Sequence, residues 1–236
     1  MASVAEHLVH QLEGAGVRHI YGIVGDSLNP VVDAVRRSKK IRWIHVRHEE
    51  TAAFAAAAEA EITGQLAVCA GSCGPGNLHL INGLYDANRS HLPVLAIASH
   101  IPTSQIGTGF FQETHPDRIF DECSVFSEMI SSSEQVPRVT RSAIQQALSN
   151  HGVAVLTLPG DIADMEVSGN LPDTITSPRP ARVVPNMEDV QGLADAINRA
   201  GKVTLFVGAG ARGAHDPIME LAELAKAPVG HSLRGK

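Results

Sequence analysis

Aromatic side chains are scarce in this sequence, at 4% of 236 residues, and there are only three cysteines. Three cysteines give no disulfide framework, and Cys69 and Cys73, with no second pair, do not make a zinc motif. A reducing, cytoplasmic setting is the expectation. No apolar run approaches the ~18 residues that a membrane span requires. The amphipathic, acid-containing start MASVAEHLVHQLEGAG does not read as a signal peptide. Positive charge is also short: 19 Lys and Arg face 25 Asp and Glu, a net charge of −6, so nucleic acid is not an expected partner. No internal repeat stands out. What is present is a hydrophobic content of 44% with 19% charged residues, the balance of a packed globular chain, long enough for one domain and part of another.

The chain alternates apolar runs with helical patterns. Ser3 and Glu6 make a capping box ahead of Val4, Leu8 and Leu12, and Gly14 and Gly16 end that helix. Strands are predicted over 17–24, 41–46, 66–70, 94–98 and 153–158, and helices over 49–62, after the loop 71–77 to about 88, and over 136–150. A further helix starts at Asn29-Pro30, with Asn29 as its cap. Between the fourth strand and residue 136 the pattern is irregular. The strands are continuous apolar runs, as expected of strands buried on both faces. The predicted fold is α/β: a doubly wound parallel sheet with helices on both faces, plus the start of a second α/β domain. The boundaries read are residues 1–170 for the first domain, 171–186 for a Pro-containing linker, and 187–236 for the second, with helices over 187–200 and 215–227 and strands over 203–207 and 228–231. Fifty residues with two buried-type strands are too few to close a core of their own.

Three loops carry chemistry. In Arg47-His-Glu-Glu-Thr-Ala-Ala-Phe54, two acids open a helix, which by itself only complements the helix dipole. The helical wheel separates them. Glu50 shares a stripe with Phe54, Ala57 and Glu61, whereas Glu49 lies above Ala52, Ala53, Ala56 and Ala60, a stripe that lets another element approach closely. A carboxyl withdrawn from water there is favoured in its protonated, hydrogen-bond-donating form. The second loop, GSCGPGN, joins a strand to a helix and can bring backbone amides to a ligand, though a plain tight turn reads equally well. It is neither a Walker A loop nor GxGxxG. The third, Gly208-Ala-Gly-Ala-Arg-Gly213, does match GxGxxG, but the strand that follows ends in His231, with no Asp or Glu there to hold an adenosine ribose. The histidines, His48, His79, His91, His100 and His115 among them, show no metal spacing and read as capping or polar-network residues. Phe110-Phe111-Gln112-Glu113 is an unusual aromatic pair in a loop, read by default as a hydrophobic plug.

Taken together, GVRHIYGIVGDSLNP, VRHEETAAFAA, LAVCAGSCGPGNLHLINGLYDA, LPVLAIASHIP, FFQETHP and VLTLPGDIA resemble, in order and spacing, the thiamine-diphosphate-dependent family that includes pyruvate oxidase, acetolactate synthase and pyruvate decarboxylase. Within it the sequence is most similar to the bacterial quinone-dependent pyruvate dehydrogenases, also called pyruvate oxidases. The resemblance covers the whole length and corresponds to the N-terminal portion of such an enzyme. It implies a pyrimidine-binding domain followed by the opening of an FAD-binding domain, and three cofactors: thiamine diphosphate, Mg²⁺ and FAD. It implies that Glu49 is the catalytic carboxyl, bonded to the aminopyrimidine N1′ so that the imino form takes a proton from thiazolium C2, after which pyruvate or another 2-ketoacid adds and loses CO2. Gly25, Gly74, Gly76, Asn77, Phe111 and Gln112 would lie on the thiamine diphosphate and substrate side. Gly208, Ala209, Gly210, Ala211, Arg212 and Ser232 would lie on the FAD side.

Two departures are visible. Ala57 stands where close relatives often carry glycine. No GDG motif with a distant Asn, which holds Mg²⁺ in the family, occurs in the sequence, and Gly160-Asp161 belongs to a different stretch. The resemblance therefore implies that the chain alone is inactive, and that its partner is a second copy or a chain carrying the diphosphate-binding domain. It places any peripheral membrane contact on a C-terminal segment outside this sequence. An acetolactate-synthase-like carboligase portion, or a non-catalytic domain that pairs with a complete enzyme, are the alternatives.

Overall fold

The computed structural model describes residues 2–167 and 183–235. Most of the expected 171–186 linker, including Pro172, Pro178 and Pro180, lies outside the described residues. The chain divides into two compact units, residues 1–181 and 182–236.

In the first unit, α1 (Val4–Gly14), β1 (His19–Gly22), α2 (Asn29–Ser38), β2 (Arg42–His45), α3 (Glu49–Thr63), β3 (Ala67–Gly71), α4 (Pro75–Arg89) and β4 (Val94–His100) follow one another. Short α5 (Pro116–Ile119), β5 (Phe126–Met129), α6 (Val136–Asn150), β6 (Val153–Pro159) and short α7 (Gly160–Asp164) complete it. The six strands form one sheet, every pair parallel, in the order β2-β1-β3-β4-β6-β5. The fold is the α/β doubly wound sheet expected from the alternation of elements.

The central strands β3, β4 and β6 are buried along their whole length, so alternate residues serve opposite cores. Val68 and Ala70 join Leu8, Leu12, Val31 and Ile144 from α1, α2 and α6 on one face. Ala67 and Cys69 join the α3 alanines and Leu80 and Leu84 of α4 on the other. A strand that feeds both cores has no polar side to show, which is why these strands read as unbroken apolar runs. The Ser3–Glu6 capping box forms as expected: Ser3 Oγ accepts from Glu6 N at 3.2 Å and Glu6 Oε2 accepts from Ser3 N at 2.8 Å.

Two expectations are corrected. Asn29 does not cap α2. A tight turn over Asp26–Leu28 runs straight into the helix, so Leu28 takes the cap position and Asn29 is the first helical residue. The stretch before residue 136 is not wholly irregular, since it contains the edge strand β5, paired with β6. In Phe126-Ser-Glu-Met129 two polar residues separate the two apolar ones, so the strand carries no apolar run to find.

The order of the sheet reverses between β1 and β3: the chain leaves β1 toward β2 on one side and returns to β3 on the other. At such a point the loops beyond the strand ends diverge and leave a crevice. The loops there are Ile23–Ser27 and Ser72–Gly74.

The second unit holds α8 (Met187–Arg199), β7 (Leu205–Val207), α9 (His215–Ala225) and β8 (Val229–His231), with β7 parallel to β8. Its apolar side chains stay largely uncovered: Leu193 is 64% exposed, and Phe206 and Leu224 are each 77% exposed. The strands read as buried in sequence are therefore open to solvent here.

Candidate active site

Glu49 is the first residue of α3, immediately after the loop that leaves β2. His48 caps the helix: its Nδ1 accepts from Glu50 N at 3.3 Å. Ala52, Ala53, Ala56 and Ala60 are fully or almost fully buried below Glu49, and α4 lies against them. A Cβ on Gly83 of α4 would stand 2.5 Å from the Ala53 methyl, so the alanine stripe does admit a close helix. Glu49 itself is buried, with 9% of its side chain exposed, whereas 37% of the Glu50 side chain is exposed. Glu50 Oε1 accepts from Asn82 Nδ2 at 2.6 Å on the surface. One member of the expected Glu50 stripe departs from it: Ala57 is buried, because α3 is covered over a wider arc than the wheel suggested.

One Glu49 oxygen is 3.0 Å from His79 Nδ1, a hydrogen bond reaching across from α4. The other faces Gly76, where a Cβ would come within 3.2 Å of Glu49 Oε1 and 2.9 Å of Ser72 Oγ. Gly76 therefore leaves the carboxyl a space that any side chain would fill. The His79 and His48 rings stack at 4.2 Å, so His48, Glu49 and His79 stand together, each with a ligand-type atom within 4.8 Å of the others'. Sequence spacing could not reveal this trio, since α3 and α4 supply it from positions some thirty residues apart.

The loops of the crevice lock to one another. Gly25 packs on Ser72, its absent Cβ only 2.6 Å from that residue's Cβ. Ser27 Oγ accepts from Cys73 N at 3.0 Å and meets Ser99 Oγ at 2.6 Å, and Ser99 Oγ donates to Gly71 O at 3.2 Å. Gly74 has φ +69° and runs against Gln112, so a side chain there would be both strained and blocked. Cys73 Sγ lies 3.5 Å from Gln112 Oε1. The structure thus gathers Gly25, Gly74, Gly76 and Gln112 around the crevice that Glu49 faces. Asn77 differs: it is fully buried, and its Nδ2 donates to Ser99 O at 2.7 Å, holding the loop from beneath.

Phe111 projects from the loop after β4 and is 78% exposed. Glu113, which in sequence only closes the aromatic motif, shapes that loop. The Glu113 carboxylate accepts from the backbone N–H groups of Gly107, Gly109 and Phe110, and those donors hold its pKa below the usual carboxylate value. Beside the loop, on the α1 and α2 side of the sheet, lies a cavity of about 850 Å³ lined by Asp26, Ser27, Cys73, His100 and Phe111 among others. His100 is buried there, its Nδ1 has no partner among the described residues, and burial lowers its pKa.

In the second unit, Gly208 and Ala209–Ala211 form the turn after β7, and Ser232 follows β8. Ser232 N donates to Val207 O at 2.9 Å, bringing the two strand ends together. A cavity of about 460 Å³ lies there, lined by Gly208, Ala209, Ala211, Arg212 and Gly213 among others. Gly210 sits within the turn and has open space around it. Among the described residues no helix is long and apolar enough to cross a membrane.

Residues 2–119 match the model of the thiamine pyrophosphate enzyme N-terminal TPP-binding domain. Over 99% of its length the chain is 56% identical to an "Uncharacterized 42.6 kDa protein in isoamylase 3'region" of Pseudomonas amyloderamosa, of which it covers 59%. It is 35% identical, over 94% of its length, to a pyruvate oxidase of Lactiplantibacillus plantarum, covering 37% of that protein. It is equally 35% identical, over 95% of its length, to an acetolactate synthase of Mycobacterium bovis, again covering 37%. The chain thus spans between 37% and 59% of the length of these relatives. With the parallel sheet, the glycine-lined crevice and the family match over residues 2–119, the chain belongs to the thiamine pyrophosphate enzymes and carries their N-terminal TPP-binding domain.

Proposed function

We propose that the first unit supplies the aminopyrimidine side of an active site that oxidatively decarboxylates pyruvate or another 2-ketoacid, as a thiamine-diphosphate- and FAD-dependent pyruvate oxidase does. The observation that carries this reading is the position of Glu49: a buried carboxyl at the strand-end crevice, beside a glycine cradle that any Cβ would fill. An aromatic ring nitrogen fits that donor set, because a withdrawn carboxyl binds a nitrogen base best by sharing a proton with it.

Each residue then has a role. Glu49 holds the proton at N1′ of the pyrimidine. His79 orients the Glu49 carboxyl from the second oxygen. Gly74 and Gly76 let the ring approach the backbone, and Gly25 keeps the opposite wall low. Phe111 and Gln112 shield the 2-ketoacid from water. The bound cofactor supplies the electron sink for decarboxylation. Mg²⁺ belongs with the diphosphate on a separate domain, contributed by a chain that carries it. In the second unit, the Gly208–Arg212 turn and Ser232 fit part of an FAD molecule: glycine amides and a guanidinium suit its diphosphate.

A second reading, an acetolactate-synthase-like carboligase, draws on the equal identity to relatives of both names. One experiment separates them. The chain is combined with the diphosphate-binding domain, thiamine diphosphate, Mg²⁺, FAD and pyruvate, and both acceptor reduction and acetolactate are measured. The proposal expects acceptor reduction, and no turnover by the chain alone. Acetolactate as the main product would favour the carboligase. Association with a complete enzyme without any turnover would favour a non-catalytic role. Sustained turnover by the chain alone would contradict the account of a divided site.

A further inference from the structure

His48, Glu49 and His79 bring together two imidazoles and a carboxylate, a donor set suited to zinc and its neighbours. The Glu49 Oε2 to His79 Nδ1 distance is 3.0 Å. Zinc holds nitrogen and carboxylate oxygen at about 2.0–2.2 Å, so one edge of a tetrahedral site spans about 3.3 Å. That pair is therefore already spaced close to a coordination edge, and an ion can take the place of their shared proton with little movement.

His48 completes the set from the side. Its ring is stacked on His79 at 4.2 Å with 24° between planes, so the lone pairs lie in nearly parallel planes and do not yet converge on one point. Convergence requires rotating one ring about its terminal torsion, which is a soft motion for an imidazole. The His48 ring has room to make it, with 47% of its side chain exposed, while His79 keeps its contact with Glu49. Binding through Nε2 needs the tautomer with the proton on Nδ1, so His48 gives up its cap on Glu50 N when it takes an ion. On binding, the carboxylate offsets part of the ion's charge.

We propose that His48, Glu49 and His79 form a binding site for one borderline divalent transition-metal ion, such as Zn²⁺. Taken with the role proposed for Glu49, on which this consequence rests, an ion held there occupies the carboxyl that would serve the pyrimidine and so inhibits cofactor loading.

The test uses the 236-residue chain and needs no cofactor, so its outcome is independent of whether Glu49 serves a pyrimidine. Co²⁺ is titrated while visible absorption is followed, and Zn²⁺ is titrated by calorimetry. One ion per chain is expected, with Co²⁺ bands of low-coordinate type that Zn²⁺ displaces. His48→Asn keeps a good helix cap while removing the imidazole, and His79→Gln keeps a helix-compatible polar side chain. Each is expected to weaken binding by at least about tenfold. His151→Asn removes an exposed histidine in a left-handed conformation that Asn tolerates, and should leave binding unchanged. Circular dichroism checks that each variant is folded. Absence of stoichiometric binding, or affinities unchanged in both His48→Asn and His79→Gln, would overturn the proposal.

Discussion

Gly83 is where α4 lies closest to the alanine stripe of α3, and Gly83→Ala sets two effects against each other. Helix propensity favours alanine by about 0.5–1 kcal/mol. Packing opposes it, because the new Cβ would stand 2.5 Å from Ala53 Cβ, 2.9 Å from Phe54 N and 3.0 Å from Ala53 C. Two of these three neighbours are backbone atoms and the third is a methyl, so no side chain can rotate away. Relief requires the helices to part by about 1 Å to reach ordinary contact distances near 3.5–4 Å. Overpacking of this kind costs about 1–3 kcal/mol. The net expectation is destabilisation by about 1 kcal/mol, rising severalfold for the bulkier Gly83→Val. Urea unfolding followed by Trp43 fluorescence reads the first unit, because Trp43 lies on β2 and is the sole tryptophan. A midpoint lowered at unchanged slope is the expected result. A Gly83→Ala protein as stable as its parent, or more so, would refute the close-approach argument. The substitution also pushes apart the helices that carry Glu49 and His79, so it should lower any activity that depends on their contact.

Other tests probe neighbouring features. Gly192 in α8 meets nothing within 4 Å, so Gly192→Ala should raise helix content and stability by up to about 1 kcal/mol, read by circular dichroism; a loss would show that the position is crowded. The Glu113 carboxyl is held below its usual pKa by the amides of Gly107, Gly109 and Phe110. Because the folded-state value is depressed, this stabilisation is complete above the ordinary carboxylate range and is lost as pH falls through the lowered value. Protection of the Gly107, Gly109 and Phe110 amides, taken relative to the intrinsic exchange rate at each pH, should fall there, and in Glu113→Gln already at neutral pH; unchanged protection in the variant would contradict the role. Burial pushes the Cys69 thiol up to about 12 and the Cys123 thiol up to about 11. Both should resist maleimide in the native chain at mildly alkaline pH and react only on unfolding; labelling of either at the rate of a free thiol would argue against the packed second core.

The sheet was readable because β3, β4 and β6 feed two cores and so run almost wholly apolar, with Ser99, His100 and Thr157 kept toward their C-terminal ends. β5 was not, because an edge strand with Ser127 and Glu128 looks like loop until β6 is there to pair with it. The separation of Glu49 from Glu50 was readable from the residues below each, and the structure buries the first and leaves the second at the surface. The contacts that fix the crevice were not readable. Ser27, Ser72 and Ser99 come from three strand ends, and His79 meets Glu49 across two helices. No local pattern encodes such meetings, which depend on how the elements pack. Glu113 lay closest to discovery, since a carboxylate just after a Gly-Thr-Gly stretch can gather the free amides of its own loop.

The central claim is that Glu49, and not Glu50, is the catalytic carboxyl. The direct measurement compares Glu49→Gln with Glu50→Gln in the enzyme assembled with its diphosphate-binding domain, following 2-ketoacid decarboxylation. Loss of positioned proton transfer costs about 10²–10⁴-fold, so Glu49→Gln should fall in that range. Glu50→Gln keeps an oxygen to accept from Asn82 and loses only a charge at the surface beside His48, so it should stay within about threefold, as expected for a residue outside the core and its buried networks. Equal losses in the two variants, or full activity in Glu49→Gln, would contradict the account.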